Sequence, residues 1–150
     1  MLKNGRPYHL PQISAPYPIV LQKLDDENIN YNLINIQPNE NDNINPAQLF
    51  VFSDEITNCS INDDNPIWLA EDDSQNITIC DGHHRYFKAL QNTKPIKAIK
   101  IHLNCKDACR ILNKIQDIYE YENSLSLENN NEDENVVDMN NGNSFLSSID

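Results

Sequence analysis

Apolar residues recur at strand and helix spacing along most of the chain. The stretch "YNLINIQP", residues 31–38, alternates apolar and polar positions and predicts a strand that ends at its proline. In "PIWLAEDDSQNITIC", residues 66–80, two apolar runs flank a polar turn, which predicts a β-hairpin. The apolar residues of "HRYFKALQN", 84–92, fall at helical spacing, and "PIKAIKIHL", 95–103, predicts a further strand.

Three other segments complete the predicted order of elements. Residues 104–121 predict a helix, because Asn104 and Asp107 form a capping-box-like start and the apolar residues that follow share one face. Residues 45–57 also predict a helix, since an asparagine suited to the N-cap precedes a proline suited to the first turn. The first 20 residues contain four prolines, and we expect them to be extended.

The composition changes near the carboxyl end. Residues 123–150 contain six acids, no lysine or arginine, and many asparagines, which is typical of a solvated, disordered tail. Residues 1–122 are long enough for one domain with a core. The predicted architecture is therefore a small α+β domain over 1–122, with a mixed sheet and flanking helices, followed by an acidic Asn-rich tail over 123–150.

Charge is distributed unevenly along the chain. The formal net charge is -12, yet residues 85–114 carry eight of the eleven Lys and Arg side chains and a single acid. This basic segment is either a solvated rim that balances an acidic amino-terminal half or a site for an anion. Because the whole chain is acidic, broad nucleic-acid binding is disfavoured relative to a confined phosphate pocket.

Other sequence signals limit location and thiol chemistry. No apolar run approaches the roughly 20 residues of a membrane span, and the amino terminus lacks a signal-peptide core, so we expect a cytoplasmic protein without membrane contact. Four cysteines are too few and too irregular for a disulfide framework, and free thiols are expected. His102, Cys105 and Cys109 have the spacing H-x2-C-x3-C, which leaves a zinc site and buried thiols as alternatives.

The chemistry-bearing residues concentrate in "ICDGHHRYFKAL", where the second hairpin strand stops and a helix begins. A helix that opens after a strand favours an anion at its first turn, and Gly82 permits close approach of a ligand. Arg85 supplies a planar fork for phosphate oxygens, and His83 and His84 add donors near neutral pH. Asp81 suits a bridging cation, the orientation of a histidine or an Asx-type turn. The alternative is a turn with capping or packed histidines.

These residues resemble a known superfamily. The run "ICDGHHRYFKAL", preceded by "PIWLAEDDSQNI" and followed by "PIKAIKI", resembles the ParB/sulfiredoxin-like superfamily over residues 30–103. Its D-G-H-H-R form is most similar to the free serine kinases, which transfer a phosphoryl group from ADP to serine. The partition proteins carry a G-E-R-R type motif and a later helix-turn-helix domain, and one predicted helix follows Leu103 here. Sulfiredoxin has a reactive cysteine where this chain has His83.

The resemblance implies a nucleotide-dependent phosphotransferase with ATP or ADP as phosphate donor, Mg²⁺ as cofactor and a small-molecule acceptor. Glu40, in the turn after the first strand, matches the general base, and Asp81 is expected near the magnesium ion and, with His84, among the catalytic residues. The phosphate-binding set implied by the motif is Gly82, His83, His84 and Arg85. The alternative is a nucleotide-binding module, for CTP or ATP, that engages nucleic acid or a protein partner without phosphoryl transfer; a degenerate family member with only a structural role is a third possibility.

Overall fold

The chain forms four helices and five strands in the part that the structure describes. This computed structural model describes residues 8–41, 43–47, 51 and 53–140, with side chains as far as Leu125. In chain order the elements are α1 (Tyr17–Asp26), β1 (Tyr31–Ile36), β2 (Ile44–Pro46), α2 (Ser53–Asn58), β3 (Ile67–Glu71), β4 (Ile77–Asp81), α3 (His83–Asn92), β5 (Ile96–Ile101) and α4 (Cys105–Asn140).

The five strands form one mixed sheet in the order β1-β5-β3-β4-β2. The pairs β1 with β5 and β3 with β4 are antiparallel, whereas β3 with β5 and β2 with β4 are parallel. The predicted strand at 31–38, the hairpin at 66–80 and the strand at 95–103 are confirmed. A mixed sheet with flanking helices also confirms the predicted α+β class.

Each face of the sheet buries its own set of side chains. Ile67, Leu69 and Ile79 point to the face that α3 covers, where they pack with Tyr86 and Ala89. The alternate positions of the central strands face the other way and are also buried, among them Trp68, Ala70, Ile99 and Ile101. The long apolar runs of the central strands therefore follow from burial on both faces.

The amino-terminal prolines do not keep residues 1–20 extended. Helix α1 begins at Tyr17, with Pro16 in the N-cap position at φ -56° and ψ 136° and Pro18 in the first turn. The prediction was wrong from Tyr17 onwards because the first turn of a helix does not need the proline N–H and accepts its fixed φ. Residues 1–7 lie outside the described residues.

The helix predicted over residues 45–57 is divided between a strand and a shorter helix. Ile44, Asn45 and Pro46 form the edge strand β2, parallel to β4, and helix α2 begins only at Ser53. The prediction was wrong in its first half because an edge strand tolerates a proline and pairing with β4 outweighs the local capping signal. Residues 48–50 and 52 lie outside the described part.

The last helix begins as predicted and runs further. Asn104 Oδ1 accepts a hydrogen bond from the Asp107 backbone N–H at 2.8 Å, which confirms the predicted cap of α4. The helix continues to Asn140 because no glycine or proline interrupts it before Gly142. The compositional boundary at residue 123 is thus not a helix end, and disorder beyond it stays a prediction; residues 141–150 lie outside the description. None of the helices within the described ranges is both long and apolar enough to cross a lipid bilayer.

Gln116 ties the segment before α1 to helix α4. Its side chain is only 5% exposed, and its Oε1 accepts hydrogen bonds from the backbone N–H groups of Ser14, at 3.0 Å, and Ala15, at 3.1 Å. Its Nε2 donates to Ser14 Oγ at 2.8 Å. One buried amide therefore satisfies two backbone groups that are about a hundred residues away in sequence.

We expect Gln116→Met to destabilise the protein by about 2–3 kcal/mol, because the apolar side chain leaves two backbone N–H groups without an acceptor. Urea unfolding followed by circular dichroism measures the loss. The matched control is Gln91→Met at an exposed position of α3, which we expect to change stability by less than about 0.5 kcal/mol. Equal effects of the two substitutions would contradict the role of Gln116.

Candidate functional site

The corner between β4 and α3 requires glycine at position 82. Gly82 has φ +99° and ψ 24°, a left-handed conformation that other residues rarely adopt. A Cβ atom at this position would lie 2.5 Å from Ile67 Cγ2 and 2.8 Å from Arg85 Nη2. The sequence predicts that Gly82 lets a ligand come close. In the structure the atoms close to Gly82 belong to the protein's own side chains, the buried Ile67 and Arg85.

Asp81 faces away from α3 because β4 contains a β-bulge. The register shifts between Trp68 and Leu69, so that Leu69 pairs with Ile79 but Trp68 pairs with Asp81. The Asp81 carboxylate lies on the Trp68 side of the sheet, where its Oδ2 accepts a hydrogen bond from the Ile13 backbone N–H at 2.9 Å. This bond ties the amino-terminal segment to the corner.

Burial raises the pKa of Asp81 above its usual value, and the Ile13 hydrogen bond and the Arg85 charge offset only part of that effect. A metal ligand needs a carboxylate that is ionised and turned to the ion, whereas one oxygen of Asp81 is occupied and its surroundings disfavour the charge. Asp81 therefore fits a structural tie better than a magnesium ligand. Within the part of the chain that the structure describes, the one group of three potential metal ligands lies elsewhere, at three cysteines.

His83 is part of the interior. Its side chain is 3% exposed, and Nε2 accepts a hydrogen bond from the Ala47 backbone N–H at 3.0 Å. An accepting Nε2 places the ring proton on Nδ1 and keeps this imidazole neutral. His83 thereby links the start of α3 to the end of β2, and the structure favours this role over the predicted phosphate contact.

His84 lies at the surface of the corner beside the Glu55 carboxylate, which the sequence analysis did not assign to the site. Its Nε2 is 3.4 Å from Glu55 Oε1, and the two side chains are 19% and 61% exposed. Helix α2 carries Glu55 and packs against α3. The predicted helix over 45–57 contained Glu55, but no spacing signal linked it to the corner.

Arg85 carries an unsatisfied donor in the first turn of α3. Its Nη2 donates to the Pro66 carbonyl oxygen at 3.1 Å, whereas its Nε is buried and has no hydrogen-bond partner among the described residues. A buried donor without an acceptor costs on the order of 1–3 kcal/mol. The positive end of the α3 dipole lies at the same place, and Gly82 contributes no side-chain cap. The unsatisfied cationic donor and the positive end of the helix together favour the binding of an anion.

Strand β1, which precedes Glu40, ends at the same end of the sheet as the corner. The end of β1 adjoins the start of β5, which adjoins the start of β3, which adjoins the end of β4. Glu40 follows β1 in an exposed turn, and the chain then crosses to β2 at the opposite edge of the sheet, about 19 Å away over four strand spacings. Because β2 is parallel to β4 and Ile44 pairs with Ile77, this connection also runs to the end of the sheet away from the corner. The strand order therefore does not place Glu40 beside the corner, and its catalytic role stays a prediction.

The cations of the basic segment 85–114 make separate local contacts, three of them with carboxylates. Besides Arg85, five of its eight cations have partners in the structure: Lys88 donates to the Thr57 carbonyl at 3.0 Å, Lys97 lies 5.1 Å from the Tyr17 ring centroid, Lys100 is 3.1 Å from Glu71, Arg110 is 3.2 Å from Asp107 and Lys114 is 3.5 Å from Glu27. These contacts are dispersed over several elements. They favour the solvated-rim interpretation over a continuous nucleic-acid surface.

Comparison of the chain with protein-family models, with curated proteins and with solved structures found no match in any of the three. The side chains of the corner divide into two groups. Asp81 and His83 bind backbone N–H groups of distant segments. His84 lies beside the exposed Glu55 carboxylate, and the buried Nε of Arg85 has no acceptor among the described residues.

We expect Gly82→Ala to destabilise the protein by roughly 2–5 kcal/mol, since the left-handed conformation and the overlap with Ile67 both oppose a Cβ atom. The opposite exchange at the other end of α3 is the control. Thr93 has φ 53° in the C-cap, so Thr93→Gly should stabilise by about 1 kcal/mol. Thermal and urea unfolding measure both; a neutral Gly82→Ala would contradict the geometry.

Asp81→Asn should be at least as stable as wild type at pH 7, because the amide oxygen still accepts from Ile13 without a buried charge, whereas Asp81→Ala should lose about 1–3 kcal/mol. The raised native pKa means that the folded state binds more protons than the unfolded state above about pH 4. Wild-type stability should therefore fall as the pH rises through that pKa, and Asp81→Asn should lose this dependence.

Urea unfolding between pH 4 and pH 8 measures these effects. Asp73→Asn, in the exposed turn between β3 and β4, is the control for a carboxylate-to-amide exchange. Equal losses of stability in Asp81→Asn and Asp81→Ala would show that the carboxylate charge is needed, and would favour the metal-ligand role instead.

Proposed function

We propose that the corner binds the phosphates of a nucleotide and that the protein is a cytoplasmic, nucleotide-dependent phosphotransferase of the ParB/sulfiredoxin-like superfamily. The observation that supports this most is the buried, unpartnered Nε of Arg85 in the first turn of α3. A phosphate there would accept charged hydrogen bonds from the guanidinium and would lie at the positive end of the helix. The glycine at position 82 lets the Arg85 guanidinium lie against the backbone of that turn.

Binding requires a small movement of Arg85. The guanidinium donates to the Pro66 carbonyl, and its Nε is shielded from solvent. A phosphate that draws the fork outward replaces one neutral acceptor by charged oxygens and gives Nε an acceptor as well. The planar guanidinium can bind two phosphate oxygens at once, which a lysine at this position would not match.

Phosphoryl transfer needs a carboxylate that orients the acceptor hydroxyl and takes its proton while the new O–P bond forms and the bond to the leaving nucleotide breaks. Glu40 is the candidate from the resemblance, and Glu55, 3.4 Å from His84, is the candidate from the geometry. ATP or ADP supplies the phosphoryl group, and Mg²⁺, held chiefly by the phosphates, would neutralise charge there. Because Asp81 is committed to Ile13, we assign it no step in transfer.

The rival function is a nucleotide-binding module that engages nucleic acid or a protein without transfer. It uses the same Arg85 contact but needs a cationic surface or a docking face beyond the corner. The pairing of three cations of segment 85–114 with carboxylates, on separate elements, counts against nucleic acid as that partner. The phosphotransferase is therefore the function that we favour.

The test is magnesium-dependent phosphoryl transfer from ATP, ADP and CTP to free serine and to water, followed by ³¹P NMR. We expect turnover in the wild type and a loss of about 100-fold or more in the variant that lacks the base, Glu40→Gln or Glu55→Gln, with nucleotide affinity retained. Arg85→Met should weaken nucleotide binding itself. Asp73→Asn, at the opposite end of the sheet, is the matched control and should behave as wild type.

The possible outcomes separate the two functions. Nucleotide binding that depends on Arg85, without turnover from any donor, would overturn the phosphotransferase and support the binding module. Absence of any nucleotide-induced shift in melting temperature would overturn both and leave a structural role.

A further inference from the structure

We propose that Cys80, Cys105 and Cys109 form a metal site that binds one Zn²⁺ ion through three thiolates. The site lies between strand β4 and the first turns of helix α4, and it shares no residue with the nucleotide corner. The three Sγ atoms all lie within 4.8 Å of one another, and no other group of this kind occurs in the described part of the chain. The proposal does not rest on the phosphotransferase.

Two features of the backbone bring the sulfurs together. Cys105 and Cys109 are four residues apart in α4 and so lie on the same face of the helix, with their Sγ atoms 3.9 Å apart. Cys80 alternates with Ile79 in β4 and points to the opposite side of the sheet from α3, towards the start of α4. The third sulfur thus comes from a segment 25 residues earlier in the sequence.

The spacing of the sulfurs matches thiolate coordination. A Zn–S bond of 2.3 Å in tetrahedral geometry places two sulfurs roughly 3.8 Å apart. The Cys105–Cys109 separation of 3.9 Å already has this value, and the upper limit of 4.8 Å for the remaining pairs requires only small rotations of side chains.

The surroundings of the three sulfurs can stabilise a zinc–thiolate cluster with a net negative charge. Three thiolates and one Zn²⁺ carry a charge of -1, and two features of the fold offset it. The Tyr8 hydroxyl donates to Cys105 Sγ at 3.4 Å, and Cys105 is the first residue of α4, where the helix dipole favours negative charge. Cys80 and Cys109 are buried, whereas Cys105 is half-buried and provides the route by which an ion enters.

His102 is not a ligand of this site. The sequence pattern H-x2-C-x3-C included it, but its Nε2 lies 2.5 Å from Asn32 Oδ1 and its Nδ1 lies 3.7 Å from Glu71 Oε1. Cys80 supplies the third ligand instead. Since the described residues place no fourth His, Cys, Asp or Glu side chain in the group, the fourth position belongs to water or to an added thiol.

The competing state is a cluster of neutral thiols in the core. Hydrogen bonds with Cys105 and Cys109, together with burial, raise the pKa of the Cys80 thiol well above its usual value. Such a cluster would keep its protons and would take up no ion. The two states differ in metal content and in thiol reactivity, which makes them separable by experiment.

The test uses the full chain purified under reducing conditions without a histidine tag. We expect elemental analysis to find one zinc per chain, and Co²⁺ exchanged for zinc to give a thiolate-to-cobalt charge-transfer band and the intense visible bands of a tetrahedral site. Cys105→Ser, at the half-buried position, should lower the affinity for zinc at least tenfold. Cys59→Ser is the matched control, because Cys59 lies at the end of α2 outside the cluster, and it should retain one zinc.

A second measurement does not depend on a variant that folds. Alkylation of the wild-type chain should label one cysteine rapidly with zinc bound and additional cysteines after a chelator is added. Uptake of one Co²⁺ with the charge-transfer band also supports the site if the purified chain holds no zinc. Failure to bind Zn²⁺ or Co²⁺ by the reduced, folded chain would overturn the proposal in favour of core thiols.

Discussion

The β-bulge opposite Trp68 is the constraint that turns Asp81 away from α3 and thereby fixes how the corner is joined to the amino-terminal segment. Ile79 pairs with Leu69 and faces α3, and regular alternation after it would turn Cys80 to the other face and Asp81 back to α3. The additional residue brings Asp81 opposite Trp68 instead. Cys80 and Asp81 therefore face the same side of the sheet. There the Cys80 thiol lies near the thiols of α4, and the Asp81 carboxylate accepts a hydrogen bond from Ile13.

Buried polar side chains hold the segments around this sheet in place. Asp81 binds the backbone N–H of Ile13, and His83 binds that of Ala47. The Asp81 bond gives an acceptor to a backbone donor of an irregular segment, and the His83 bond adds to the one that the Ala47 N–H makes with the Ile79 carbonyl oxygen at 3.3 Å. Apolar packing alone would not specify where such segments lie, because it has no direction. The polar contacts supply the direction and fix the register of the amino-terminal segment and of β2.

This use of the motif divides its residues by role. In "DGHHR" the first histidine and the aspartate face the interior, and the glycine accommodates Ile67 and Arg85. His84 lies beside Glu55 of α2, and Arg85 retains a buried Nε without an acceptor among the described residues. The five residues of this motif therefore have different roles, some structural and some suited to ligand binding. The reason is that a strand-to-helix corner turns successive side chains in different directions. The phosphate site that we propose is correspondingly smaller than the five-residue run.

The sequence by itself determined those elements whose signals are local. The alternation in residues 31–38 and 66–80, the cap at Asn104 and the need for glycine before α3 all depend on neighbours within a few residues, and the structure has each of them. Local signals missed helix α1 and gave residues 45 and 46 to a helix, since proline is compatible with a first helical turn and with an edge strand as well as with a break.

Tertiary structure alone decided which side chains meet. The pairing of Glu55 with His84, the bond from Ile13 to Asp81 and the convergence of Cys80 with Cys105 and Cys109 join residues 25 to 68 positions apart. A spacing rule in sequence describes one helix face or one strand face, and it contains no information about how two such faces are brought together. That choice follows from the strand order and from a single inserted residue in β4, because only the folded sheet defines which side each residue occupies.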